Sequence, residues 1–178
     1  GFVTPATPGR LDLDTPAGRV GVAYEGNERQ VERVRLFNVA AFLAATGITV
    51  ELAEYGRLSC DIAYGGNFYA IFEPQPGFGG LDELDVDAIL RLSPVVRRRV
   101  NEVFEPVHPE DPSIRGVTHV MWTGRPRASA ADGRNAVFYG DRAIDRCGDS
   151  EFEKIAGLGR NHLKTCAKAV CRGAVPNR

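Results

Sequence analysis

The residues able to do chemistry are few. Asp145-Arg146-Cys147-Gly148 sets a thiol beside a residue with no side chain, so that sulfur and an open backbone N–H can face one ligand. A thiol removes a proton from carbon only as thiolate, which needs a lowered pKa from a helix N-terminus or a nearby cation. Both are at hand: Arg146 is a cation, and Ser150-Glu151-Phe152-Glu153 has the spacing of a capping box. Cys166 and Cys171 have one nearby imidazole, His162, and no second pair, so they read as ordinary helix thiols rather than zinc ligands. His108 and His119 lack metal-ligand spacing, and His119, on the alternating stretch Thr118-His119-Val120-Met121, reads as a packed core histidine. Arg97-Arg98-Arg99 reads as a solvated helix face and Gly65-Gly66-Asn67 as a tight turn. No metal or cofactor site is expected.

The elements that must position these groups are mostly strands. Leu11–Asp14 and Arg19–Tyr24 alternate apolar with polar or small residues around the turn Pro16-Ala17-Gly18. Gln30–Phe37 alternates too, with one slip at Arg33 that predicts a bulge or a strand start. Ile48–Leu52, Leu58–Tyr64, Phe68–Phe72, Val117–Trp122 and Ala136–Tyr139 are further strands. One long helix is predicted, N-capped by Asp85 or Asp87 and running to Phe104, with Val96, Val100 and Val103 on its apolar face. Pro94 sits inside it, which predicts a break or a second N-terminus near Ser93. Many short strands around one helix make an α+β fold.

Composition narrows the field. With 178 residues, 43% hydrophobic and 25% charged, the chain can bury a core without disulfides or metal. A net charge of −1 offers no bulk attraction to nucleic acid or an anionic membrane. The most apolar window, Asn38–Val50, is broken by Thr46 and Gly47 and is too short to span a bilayer. No export signal is visible, so the four cysteines are expected as reduced thiols in the cytoplasm. The positive charge is uneven. Residues 1–146 hold 16 Arg, no Lys and 20 acids; all three lysines fall in residues 147–178, whose net charge is +3.

The stretch Asp61-Ile62-Ala63-Tyr64-Gly65-Gly66-Asn67-Phe68-Tyr69-Ala70-Ile71 closely resembles a signature of the proline racemase family. So do Gly1-Phe2-Val3-Thr4-Pro5, Thr15-Pro16-Ala17-Gly18, His108–Val117 and His119-Val120-Met121-Trp122-Thr123-Gly124. Arg134–Arg146 is most similar to the 4-hydroxyproline 2-epimerase branch. The resemblance runs almost unbroken over residues 1–146.

That resemblance implies a two-lobed fold like that of diaminopimelate epimerase, each lobe a β-barrel-like sheet around a central helix, here present in part. Residues 1–56 would be the remainder of the first lobe, 57–146 the start of the second, and 147–178 a tail outside the resemblance. The implied enzyme is an isomerase that inverts Cα of 4-hydroxyproline or proline without a cofactor. Two facing cysteines do this, one removing the proton and the other delivering one to the opposite face, because a single base returns the proton to the side it left. Cys147 is carried over as a catalytic cysteine, Asp145 as a substrate contact and Gly148 as an anchor for the substrate carboxylate. The implied partner is a small amino acid, not nucleic acid or membrane, with a homodimer for the intact protein.

Two departures matter. The family's first cysteine motif, Met-Cys-Gly-His, precedes the stretch matching Gly1-Phe2-Val3-Thr4-Pro5, so the chain is expected to be a fragment lacking one thiol. The second motif, Asp-Arg-Ser-Pro-Cys-Gly-Thr-Gly in the family, here reads Asp145-Arg146-Cys147-Gly148-Asp149-Ser150. Either a Ser-Pro deletion leaves Cys147 in the catalytic place, or the frame changes after Arg146 and Cys147 falls there by chance; the lysine seam favours the second. The alternatives to an epimerase are a trans-3-hydroxyproline dehydratase of the same family, which carries Thr for the second Cys, and a catalytically inactive remnant.

Overall fold

The computed structural model describes residues 4–27, 30–127 and 133–146, the last two of these by their backbone. A three-stranded antiparallel sheet comes first: β1 (Arg10–Thr15), β2 (Gly18–Gly26) and β3 (Val31–Phe37), in that order. The β1–β2 turn is Pro16-Ala17, as its residues predict, and Gly18 closes it at φ +117°. Leu11, Val22 and Leu36 lie in one cross-strand row, with Leu13–Val20 and Tyr24–Val34 beside it. The opposite face carries Arg10, Asp12, Asp14, Arg19, Arg33 and Arg35. The slip read at Arg33 is a bulge one residue earlier: Gly26 faces Val31 and Glu25 faces Arg33, leaving Glu32 extra.

The larger sheet has six strands in chain order: β4 (Phe42–Leu52), β5 (Gly56–Tyr64), β6 (Phe68–Phe72), β7 (Val117–Gly124), β8 (Arg134–Tyr139) and β9 (Ala143–Arg146). Residue 56 therefore lies in the hairpin joining β4 to β5, while the two sheets part between Phe37 and Phe42. Gly65-Gly66-Asn67 joins β5 to β6, with Gly66 at φ +97°. All pairs are antiparallel except β6–β7. A parallel pair needs a long crossover, and α1 (Val86–Val103) supplies it.

Asp85 is the N-cap of α1, its carboxylate accepting the Ala88 N–H at 2.7 Å. Ile89, Leu92, Val96 and Val100 are buried against the sheet. The expected break at Pro94 does not occur. Losing one helical bond and fitting the ring costs about 3 kcal/mol, whereas each of those apolar side chains contributes about 1.5–3 kcal/mol by staying in place. Val103, read as part of the apolar face, is 61% exposed, and Phe104 rather than Val103 continues the buried stripe beyond Val100. Arg97, read as solvated, is half-buried and turned onto the sheet, where it finds carbonyls to bond.

Three contacts lock helix to sheet. The buried Trp122 indole donates to Ser93 Oγ at 2.9 Å. Asn101 both donates to the Val117 carbonyl at 3.0 Å and accepts its N–H at 2.7 Å. Gly80, at φ +71°, opens a short 3-10 turn pressed against β7. Strand β7 itself carries a bulge at Thr118, since Phe68 faces Val117 and Tyr69 faces His119. Val117, Val120 and Trp122 thereby all join the helix-side core, while Met121 joins a smaller cluster with Ala63, Tyr69 and Ile71.

Two substitutions test this core, read through the emission of Trp122, the sequence's one tryptophan. Ser93→Ala leaves a buried indole N–H without its acceptor and is expected to cost about 1–3 kcal/mol in urea unfolding. Gly80→Ala combines a left-handed backbone with a Cβ that collides with the Thr123 carbonyl and lies 2.8 Å from Pro74 Cγ. It is expected to cost at least about 2 kcal/mol.

Candidate active site

Asp145 sits on β9, the last strand of the six-stranded sheet, directly opposite Val137. The register runs on from Arg146 to Ala136 and from Ala136 to Trp122, so the end of β9 lies across β8 from Trp122, near the end of β7. Cys147 and Gly148 lie outside the described residues. The structure thus places the strand that leads into the candidate catalytic segment, and Asp145 upon it.

Near that end of the sheet lies the ion pair Arg134–Asp82. The half-buried Arg134 guanidinium meets Asp82 and donates through Nε to the Arg125 carbonyl at 3.0 Å. Cys60, the one cysteine among the described residues, is a poor acid–base group. It lies 3% exposed in the helix-side core. Burial first, and the Asp61 carboxylate second, push its pKa up to about 12. It is a thiol at any physiological pH, and proton abstraction from carbon needs a thiolate.

The two described histidines are packed rather than poised as ligands. His119 lies between Tyr69, with ring centres 4.7 Å apart, and Tyr139, at 5.8 Å and nearly parallel. Its Nδ1 is 2.8 Å from Thr118 Oγ1. Burial, helped by the Arg97 cation, holds its pKa below the usual histidine value. His108 accepts the backbone N–H groups of Glu110 and Asp111 at Nδ1, at 3.2 and 3.3 Å, and its ring edges onto Tyr64 at 4.6 Å. Among the described residues no group of three or more His, Cys, Asp or Glu could hold a metal ion. No described helix is long and apolar enough to cross a membrane.

What residue-level reading missed is Arg97. A run of three arginines on a helix gives no hint that the first folds back onto strands β7 and β8. Only the tertiary position of α1 reveals it.

Comparison with known proteins supplies what the described geometry leaves open. The chain matches the family described as proline racemase over residues 1–171, beyond the point at residue 146 where the motif resemblance stopped. It is 50% identical over 169 residues to a 4-hydroxyproline epimerase of Brucella abortus (strain S19), covering 93% of this chain and 51% of that protein. Identity is 51% over 160 residues to a 4-hydroxyproline 2-epimerase of Brucella suis biovar 1, covering 89% of this chain and 48% of the relative. The chain spans about half the length of the curated relatives it matches. Two crystal structures share its fold, each with a TM-score of 0.67. One is a probable proline racemase from Agrobacterium radiobacter K84 with bound carbonate, 25% identical, matched over 80% of this chain and 42% of that one. The other is a hydroxyproline epimerase from Agrobacterium vitis with bound trans-4-hydroxy-L-proline, 21% identical, matched over 96% and 46%.

Two outcomes follow from the burial of Cys60 and His119. With a pKa near 12, Cys60 holds about one part in ten thousand thiolate at about pH 8. Thiol reagents are expected to leave it unmodified in the folded chain and to label it after unfolding, as peptide mass spectrometry would show. His119 is protonated more easily in the unfolded chain than in the folded one. Its contribution is therefore present above about pH 6.5 and lost as pH falls below that value. The urea midpoint should fall on acidification, and His119→Phe should reduce the slope.

Proposed function

From the premise that the chain belongs to the proline racemase family, we infer that it serves the inversion of 4-hydroxyproline at Cα as part of a two-lobed isomerase. The observation that carries this reading is the 50% identity, over 169 residues, with a 4-hydroxyproline epimerase. The reaction needs two bases on opposite faces of the ring. Cys147 is one of them, taking or giving the Cα proton. Gly148 offers its backbone N–H to the substrate carboxylate, where charge develops as the proton leaves. Asp145, held in the β8–β9 ladder opposite Val137, contacts the substrate. The family match continues to residue 171, which supports the Ser-Pro deletion over a change of frame and, with it, the reading of Cys147 as a catalytic cysteine.

The second base belongs to a Met-Cys-Gly-His motif, which the 178 residues do not contain. In this reading β1–β3 belong to one lobe, and the six-stranded sheet that starts at Phe42 belongs to the other. The enzyme works in the cytoplasm on a free amino acid, without a cofactor, and the intact protein pairs as a homodimer.

The test is chiral chromatography of trans-4-hydroxy-L-proline after incubation with protein. The 178 residues alone should give no epimer. Joined to a lobe that carries Met-Cys-Gly-His, they should give cis-4-hydroxy-D-proline, and Cys147→Ser should slow that by about 10²–10⁴-fold. Turnover by the 178 residues alone, or a Cys147→Ser variant as fast as the parent, would overturn the two-cysteine reading. Loss of water from trans-3-hydroxy-L-proline, with no epimerisation, would make the protein a dehydratase instead.

A further inference from the structure

Among the described residues, strand β9 is the shortest strand of the larger sheet, stands last in it, and pairs with β8 alone. A short edge strand of this kind opens locally at a small fraction of the global unfolding free energy. Yet Asp145 depends on it. Because side chains alternate with period two, a slip of one residue in the β8–β9 pairing would carry Asp145 to the other face of the sheet. The turn Gly140-Asp141-Arg142 sets that register, since Tyr139 faces Ala143 across it.

The turn is held from outside the hairpin by one side chain. Arg97 Nη1 donates to the Gly140 carbonyl at 2.7 Å and to the Thr118 carbonyl, inside β7, at 3.2 Å. Its guanidinium carbon lies 5.5 Å from the centre of the Phe138 ring, on β8. The Asp141 carboxylate approaches it at 4.0 Å. One residue of α1 therefore ties the turn to the middle of the sheet and covers an aromatic ring of β8. Arg98 and Arg99, its neighbours, pair only with Glu102 on the helix itself.

We propose that Arg97 is a positioning residue for Asp145, clamping the β8–β9 turn and so fixing the register of the strand that presents Asp145 to substrate. The proposal rests on the epimerase reading only for Asp145's role; the clamp is read without substrate. Both bonds leave a single nitrogen, so a lysine ammonium with its three donors can replace them and a methionine of similar length cannot.

The experiment compares the 178-residue chain with its Arg97→Met and Arg97→Lys variants by hydrogen exchange over residues 139–146, alongside urea unfolding followed by Trp122. Arg97→Met is expected to speed exchange in that segment by about tenfold or more with little change in the Trp122 midpoint, and Arg97→Lys to restore protection. If Arg97→Met does not fold, Arg97→Gln, which keeps an amide donor but loses the reach, takes its place. Unchanged exchange, or faster exchange spread over the whole chain with a lower midpoint, would overturn the clamp. In the two-lobed protein, Arg97→Met should lower kcat/KM by about ten- to a hundredfold, mostly through KM, with rescue by Arg97→Lys. A fast-exchanging hairpin with unchanged KM would remove the link to Asp145. An Arg97-dependent hairpin in a protein that epimerises nothing would remove the enzyme reading and leave the clamp.

Discussion

The parallel pairing of β6 with β7 is the constraint from which the larger sheet follows. Every other neighbouring pair can be closed by a short turn, but this one obliges the chain to leave the sheet, cross a face and return at the same end. Helix α1 is that crossing. Its apolar stripe then has one place to go, and the rows Ile62–Ala70–Val120 and Phe72–Trp122 receive it. The bulge at Thr118 belongs to the same solution. Without the extra residue, Val117 and Val120 would stand on opposite faces, and the helix would lose one of its contacts.

The helix also accounts for the order at the edge of the sheet. Because α1 lies on the same face as Phe138 and Trp122, its half-buried arginine is within reach of the β8–β9 turn. A proline in the third turn of this helix is tolerated because the flanking residues are committed to the core. The path from sequence to candidate site therefore runs through packing: apolar spacing builds the helix, the helix seats an arginine, and the arginine holds the strand that bears Asp145.

Most of this architecture is legible in the residues. Alternation predicts β1, β2 and β3, turn chemistry predicts Pro16-Ala17-Gly18 and Gly65-Gly66-Asn67, and a carboxylate before an apolar run predicts an N-cap at Asp85 or Asp87, of which the fold uses Asp85. What escapes has physical reasons. The first half of β4 holds Ala44, Ala45, Thr46 and Gly47, which alternate too weakly to declare a strand. Strand β9 is four residues long, below what periodicity can register. The inward turn of Arg97 and the exposure of Val103 depend on how the helix is rotated on the sheet, which helical spacing alone does not encode. Of the candidate site, Asp145 acquires a register and a partner strand. Cys147 and Gly148 rest on family likeness, because single catalytic residues leave no periodic trace in a sequence.

The ion pairs Arg91–Glu54, Arg115–Glu105 and Arg134–Asp82 share one cation type, and within residues 1–146 that type is the only one. A guanidinium keeps its proton throughout the range in which proteins are studied. The charge of the folded sheets can therefore move in only two ways. Toward acid it moves through carboxylates and His119; toward alkali, through the Cys60 thiol and Tyr55. Every side-chain amine that could be acylated or ligated to another protein lies between Lys154 and Lys168. Amine-directed modification of this chain thus bypasses the sheets, whose cations take part in holding them together.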